Sequence, residues 1–135
     1  MATQLSVAVR NAMLDAIETA IGTSAVLKIR TGAPPASVAT ADSGTVLATL
    51  TLPSDWLAAA SNGSKAKSGT WEDNSADAAG TAAHYRIYAS DGTTAHIQGT
   101  VTATGGGGDM TLDNTVFAAG QSFTITAYTL SMPNS

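Results

Sequence analysis

Residues 81–104 constrain the fold more than any other stretch, because apolar and polar residues alternate on both sides of Asp91-Gly92. Strict alternation around Asp-Gly predicts a β-hairpin with one buried face. A two-residue turn at Asp91-Gly92 would place His84 opposite Gly99. It would also place His96 opposite Ile87. The face predicted to be buried carries Ala83, Tyr85, Ile87, Ala89, Ile97, Val101 and Ala103.

An amphipathic helix is predicted over residues 4–21, with Thr3 as its N-cap and Gly22 as its C-terminal stop. Two roles are open for this helix. It can cover one face or end of a sheet, or it can dock on a neighbouring subunit. The apolar positions recur at intervals of three and four residues, which is the helical period, and are Leu5, Val9, Ala12, Met13, Ala16, Ile17, Ala20 and Ile21.

The rest of the chain alternates as short strands joined by turn-rich loops, which predicts about six strands in all. The predicted fold is mainly β, an antiparallel β-sandwich or flattened barrel with one N-terminal α-helix. Residues 1–135 form a single domain, in which the β part spans 24–131 and Trp56 is a core residue. Predicted loops cover 32–44, 61–80 and 105–108. Strands are predicted at 24–31, 45–52, around Trp71, at 109–112 and at 121–131, besides the hairpin. Lys28 and Arg30 lie on one face of the first strand, which is typical of a solvated face or of an edge protected against strand addition.

Composition excludes several classes of function. Charged residues make up 12% of the chain and the net charge is −4, so no basic patch predicts binding to nucleic acid. The chain contains no cysteine, which removes disulfides, thiolate nucleophiles and cysteine-ligated metals. No apolar stretch is long enough to span a membrane, and no signal peptide is evident. A protein made in the cytoplasm and soluble there is expected. Ala, Thr, Gly and Ser form roughly half of the chain, so its core is thin and neighbouring copies are expected to add stability.

Motifs for catalysis and cofactor binding are incomplete. His84 and His96 have no third ligand nearby in the pattern, and both are predicted to be solvent-exposed strand residues. Gly105–Gly108 lacks the Lys and Ser or Thr that a phosphate-binding loop needs. The carboxylates within residues 72–77 lack the spacing of a calcium loop. We therefore predict no catalytic residue, no metal and no cofactor, and a protein that is not an enzyme.

Five stretches resemble a family of small virion structural proteins of tailed bacteriophages, and the resemblance covers nearly the whole chain. It implies a particle component present in many copies, made in the host cytoplasm and located in the virion. It implies no catalytic motif. The matching stretches are 11–22, 28–35, 43–50, 86–92 and 98–112.

Within that family, the expected role is a capsid decoration (cement) protein that binds the outer head surface and clamps neighbouring capsomers. Its partners would be the major capsid protein or other virion proteins, and it would be a homo-oligomer. The alternatives are a tail or head–tail junction protein, and a virion-displayed carbohydrate-binding β-sandwich that uses Trp56, Trp71 or Tyr88. The predicted partner-binding residues lie in two loops and are Pro34, Pro35, Asn62, Lys65 and Lys67.

Overall fold

A computed structural model describes residues 3–132 and contains one helix followed by eleven strands within that range. The helix is α1 (Val7–Ile21). The strands are β1 (Val26–Arg30), β2 (Val46–Thr51), β3 (Ser64–Ala66), β4 (Trp71–Asp73), β5 (Gly80–Thr81), β6 (His84–Tyr88), β7 (Ala95–Ala103), β8 (Met110–Leu112), β9 (Val116–Phe117), β10 (Phe123–Ile125) and β11 (Thr129–Ser131).

Five strands form a central sheet in the order β2-β1-β6-β7-β8, which curls into a half-barrel. All neighbours in this sheet are antiparallel except β7 and β8, which run parallel. Three two-stranded pairs accompany it, namely β10–β4, β11–β3 and β5–β9. The prediction of a mainly β, largely antiparallel fold with one leading helix is confirmed.

The central hairpin has the predicted strands, and Tyr85, Ile87 and Val101 are buried on the predicted face. Ala103 is exposed, however, and the opposite face of β6 is buried as well. The register differs by one residue. Ile87 pairs with Ile97, and His84 pairs with Thr100 rather than Gly99. The turn is longer than two residues, because Ala89 N donates to Thr94 O across residues 90–93. The Asp91 carboxylate holds this longer turn by accepting bonds from Thr93 N, Thr94 N and Thr94 Oγ1. These bonds hold the pKa of Asp91 well below its usual range.

The core is built on large aromatic residues despite their small number. Trp56 and Trp71 are both fully buried, which confirms the prediction for Trp56. Their rings lie 6.1 Å apart, and Tyr128 continues the series 5.5 Å from Trp71. Tyr85 then meets Tyr128 edge-on at 5.6 Å. Aliphatic residues of β1 and β2 fill the space around these rings.

The four-glycine stretch lets the chain double back after β7 so that β8 can run parallel to it. A Cβ on Gly106 or Gly108 would lie within 2.8 Å of the Thr102 side chain. The Gly108 N–H donates to Thr102 Oγ1 at 3.0 Å. In Gly105–Gly108 the backbone therefore packs closely against Thr102, which requires glycine.

Several element boundaries differ from the prediction. The helix begins at Val7 with Ser6 as its N-cap, whereas the predicted end at Gly22 is confirmed. The region 61–80 contains β3, which was not predicted, as well as β4, which is the strand predicted around Trp71. Residues 121–131 form two strands, β10 and β11, instead of one.

Candidate interaction surface

The polar side of α1 faces the rest of the protein, together with Leu14, Ile17 and Ile21, whereas most of its apolar stripe faces away. Lys65 on β3 is only 2% exposed, and its Nζ lies 2.7 Å from Asp15 Oδ1 and 3.3 Å from Glu18 Oε2. Burial alone would lower the pKa of Lys65, but its bonds to the two carboxylates outweigh burial and raise it. The same hydrogen bond lowers the pKa of Asp15. This ion-paired cluster fixes the helix against β3.

Further polar groups of α1 bind the backbone of residues 57–63, which leads into β3. Asn11 Oδ1 accepts from Gly63 N at 2.9 Å, and Asp15 Oδ1 accepts from Ala60 N at 2.9 Å. Glu18 Oε1 accepts from Leu57 N at 3.3 Å. These backbone donors belong to a segment with little regular pairing, so helix side chains supply the acceptors they need.

The opposite side of α1 is uncharged and exposed, although the sequence pattern predicted part of it to be buried. We define the outer helix face as Val9, Ala12, Met13, Ala16 and Ala20, all of which are exposed. Val9 is 46% exposed and Met13 is 42% exposed. Only Leu14 and Ile21 of the helix are fully buried. The three charged residues of α1 all point toward the protein body, so the outer face carries none of their side-chain contacts.

The loop that contains Pro34 and Pro35 is fastened to the sheet. Arg86 Nη2 donates to Ser37 O at 3.0 Å and to Thr40 O at 2.9 Å. Gln98 Nε2 donates to Pro35 O at 2.7 Å. The loop therefore covers the polar face of β6 and β7, which was predicted to be exposed to solvent or to a neighbouring subunit.

Asp42, in the same loop, forms ion pairs with two buried arginines. Its carboxylate lies 2.9 Å from Arg30 and 2.8 Å from Arg86, and it accepts a bond from the Tyr88 hydroxyl at 2.8 Å. Partial burial would raise the pKa of Asp42, but the bond from Tyr88 and the two arginines lower it. The strand face carrying Lys28 and Arg30 was predicted to be solvated or a protected edge, and this was wrong for Arg30, which is buried with Asp42 as its counter-charge.

The two histidines differ in environment. His84 is fully buried and its Nδ1 donates to Gly32 O at 2.6 Å, so the prediction of a solvated side chain was wrong for this residue. Burial and the positive charges nearby lower its pKa. Its Nε2 has no hydrogen-bond partner. His96 is exposed.

The predicted partner-binding residues are not gathered in one place. Pro34 and Pro35 are half-buried, whereas Asn62 is exposed in a left-handed conformation with φ of 52°. Lys67 Nζ donates to Gly69 O and lies 5.9 Å from the Trp71 ring. Lys65 does not fit a surface-contact role because it is buried in its ion pair with α1. The sequence analysis missed the outer helix face as a surface, although it recognised the stripe itself.

Within residues 3–132, no group of three or more His, Cys, Asp or Glu side chains is arranged to hold a metal ion. No helix in that range is long and apolar enough to cross a membrane. Comparison with protein-family models, curated proteins and solved structures found no match to this chain. Function is therefore inferred from the surface and from the sequence resemblance.

Proposed function

We propose that the protein is a non-enzymatic structural component of a tailed-phage virion and that it decorates the outer surface of the head. The observation that supports this role is the outer helix face, which is apolar and exposed while the charged residues of α1 are turned inward. Contiguous exposed apolar faces are among the surfaces through which proteins bind one another. The partner would be the major capsid protein.

The size of this surface fits a protein that binds in many copies. A helix of 15 residues is about 22 Å long, so its outer side offers roughly 200–300 Å² for contact. A stable interface usually buries about 800 Å² on each partner. One helix contact is therefore weak, and retention on a head requires further contacts or an oligomer whose copies bind together. The exposed Asn62 turn lies beside α1, because Gly63 N binds Asn11, and can extend the contact.

Binding to purified heads that lack the protein tests this proposal. The double substitution Val9→Glu/Met13→Glu places two carboxylates on the outer helix face. Because these residues are exposed, we expect the variant to fold normally. Burying unpaired charges at an interface should lower its affinity for heads at least about tenfold. Thr126→Glu is the control, since Thr126 is exposed on a different part of the chain and should not alter binding.

The readout is the amount of protein that sediments with heads across a concentration series. Equal binding of the double variant and the wild type would rule out the outer helix face as the contact. Association with purified tails instead of heads would assign the protein to the tail or head–tail junction. A carbohydrate-binding role is not favoured, because Trp56, Trp71 and Tyr88 are all fully buried and none can stack on a sugar.

A further inference from the structure

A buried histidine lies beneath the loop of residues 32–44, which we call the strap. His84 is fully buried, and its Nδ1 lies 2.6 Å from Gly32 O. Because a carbonyl oxygen can only accept a hydrogen bond, Nδ1 carries the proton, and Nε2 of the neutral ring carries none. Nε2 is buried without a hydrogen-bond partner in the described part of the chain. The site therefore suits a neutral imidazole.

Positive charge surrounds His84 on the sheet. Arg30 pairs directly with it across β1 and β6, and Arg86 follows two residues along β6 on the same face. Both arginines are buried, and Lys28 is a further cation on that face of β1. Asp42 of the strap forms ion pairs with both arginines, so one carboxylate serves two positive charges. A proton on His84 would add a third positive charge to this buried group.

The surroundings of the ring offer no acceptor to a protonated Nε2. Arg30 Nε is itself a buried donor without a partner. On β7, the residue opposite His84 is Thr100, and the Asp109 carboxylate binds the N–H and the hydroxyl of Thr100. Tyr88, on the same face of β6, stays neutral near pH 7 because burial raises its pKa. Among residues 3–132, the His84 ring has no acidic hydrogen-bond partner.

The strap is fastened to the sheet by side chains rather than by strand pairing. The sheet strands are held by ladders of backbone pairs, whereas no described strand pairs with residues 32–44. Within residues 3–132, the hydrogen bonds from the sheet to the strap come from the side chains of Arg30, His84, Arg86, Tyr88 and Gln98. The strap can therefore open locally while the sheet stays paired.

We propose that residues 32–44 form a pH-sensitive strap, which opens when the His84 ring takes up a second proton and then uncovers Arg30 and Arg86. The added proton creates an unpaired N–H and a third positive charge in a place that water does not reach. Burying an unpaired charge is strongly unfavourable, and opening lets water solvate it. In a chain with a net charge of −4, opening also exposes a basic patch that the closed strap covers.

Low pH should favour the open strap. Burial lowers the pKa of His84 in the closed form, and the two arginines add to this effect, although the bond to Gly32 O opposes it. In the open form the pKa returns to about 6.5, so the open form binds the proton first as pH falls. Below about pH 6.5 the ratio of open to closed strap should rise by up to about tenfold per pH unit. Asp42 stays ionised at pH 5, because its pKa is lowered from an already acidic value.

The test measures the mobility of a nitroxide spin label on the strap by electron paramagnetic resonance. The chain has no cysteine and Ala39 is exposed, so Ala39→Cys gives a single labelling site. From pH 7.5 to 5.0 we expect the mobile fraction to rise reversibly, with the ratio of open to closed strap increasing by up to about 30-fold. The control label at Ala59→Cys, another exposed alanine in a loop beside α1, should keep its mobility.

Two histidine variants assign the response. His84→Gln retains an N–H that can donate to Gly32 O but takes up no proton, so its strap should stay closed at pH 5.0. His96→Gln removes the exposed histidine and should respond as the wild type does. If His84→Gln does not fold, nuclear magnetic resonance of the unsubstituted protein replaces it. The ring nitrogens of His84 should then titrate together with the amides of residues 32–44.

The proposal is overturned if the label at position 39 is equally immobile at pH 5.0 and pH 7.5. It is also overturned if His84→Gln keeps the pH response, or if the strap amides and the His84 ring titrate at different pH. A change in the fluorescence of the buried Trp56 and Trp71 with the same midpoint would show global unfolding instead of strap opening. The Val9→Glu/Met13→Glu variant should keep the pH response, because the outer helix face takes no part in it.

Discussion

Replacing Tyr128 with phenylalanine should leave the Tyr85 hydroxyl buried without its partner. The two hydroxyls are 2.8 Å apart, and Tyr85 and Tyr128 are only 2% and 4% exposed. A buried hydroxyl that loses its partner costs about 1–3 kcal/mol. We therefore expect Tyr128→Phe to lower the free energy of unfolding by about 2 kcal/mol. Tyr85→Phe should have a similar effect, because it leaves the Tyr128 hydroxyl buried without its hydrogen-bond partner.

The double variant provides the decisive comparison. With both hydroxyls removed, no buried hydroxyl is left unpaired, so Tyr85→Phe/Tyr128→Phe should lose only the net value of one hydrogen bond, about 1 kcal/mol. Independent effects of the two single changes would add to about 4 kcal/mol. The measurement is urea unfolding followed by fluorescence of Trp56 and Trp71, which are fully buried and become exposed on unfolding. If the losses of the two single variants add up to the loss of the double variant within about 0.5 kcal/mol, the inferred hydroxyl pair is refuted.

Alkaline pH gives an independent check of the same pair. Burial raises the pKa of Tyr85 to about 12, against about 10 in the unfolded chain. Between these values the unfolded chain loses its proton first, so stability should fall as pH rises, by up to about 3 kcal/mol from this group. Lys65 contributes in the same direction because its pKa is also raised in the folded protein. The difference between wild type and Tyr85→Phe reports on the tyrosine pair, because Tyr85 also raises the pKa of Tyr128, and identical pH profiles would contradict the burial of the pair.

Three further predictions concern other sites. Gly99→Ala would place a Cβ 2.8 Å from the ring of Tyr85. It should lower the free energy of unfolding, measured in urea, by about 2 kcal/mol. Asp15→Asn/Glu18→Gln should lower the melting temperature in calorimetry, because Lys65 remains buried without a counter-charge, and adding Lys65→Met should restore most of the loss. His84 has a lowered pKa when folded, so the unfolded chain binds a proton first near pH 6.5 and stability in urea should fall from pH 7 to 5. His84→Gln should flatten that decline.

Local patterns predicted most of the hairpin correctly. Alternation identified the strands, and Tyr85, Ile87 and Val101 are buried on the predicted face. The register was wrong by one residue, because the Asp91 side chain holds a longer turn than Asp-Gly alone indicates. Turn length depends on which side-chain bonds form, and this is not encoded in the alternation of apolar and polar residues.

For α1, the local pattern predicted the helix but not which of its faces is buried. Its period was recognised, but periodicity only divides a helix into two faces and does not decide which face is buried. That choice depended on Lys65 and on the backbone donors of residues 57–63, all distant in sequence. Buried charges and backbone donors need partners, and only the polar side of α1 could supply them. Most of the apolar stripe remained exposed and forms the candidate interaction surface, while Ile17 and Ile21 pack inward.

The position of the 32–44 loop over the polar face of β6 and β7 also depends on contacts between residues far apart in the chain. Lys28 and Arg30 on one strand face were interpreted as a solvated pair, but Arg30 is buried. The available signal was Asp42, the acidic residue within the 32–44 loop, yet nothing local indicated that it would reach two strands at once. Its pairing with Arg30 and Arg86 requires the order β1-β6 in the sheet, which is a property of the topology.

The sequence by itself determined the fold class, the positions of the helix and the main strands, and the lack of complete catalytic motifs, because these depend on local periodicity and residue chemistry. Only the tertiary structure decided which helix face is exposed and which charges are buried as pairs. Each of these depends on partners far apart in the chain. The outer helix face, which is proposed for binding to the head, belongs to that second group.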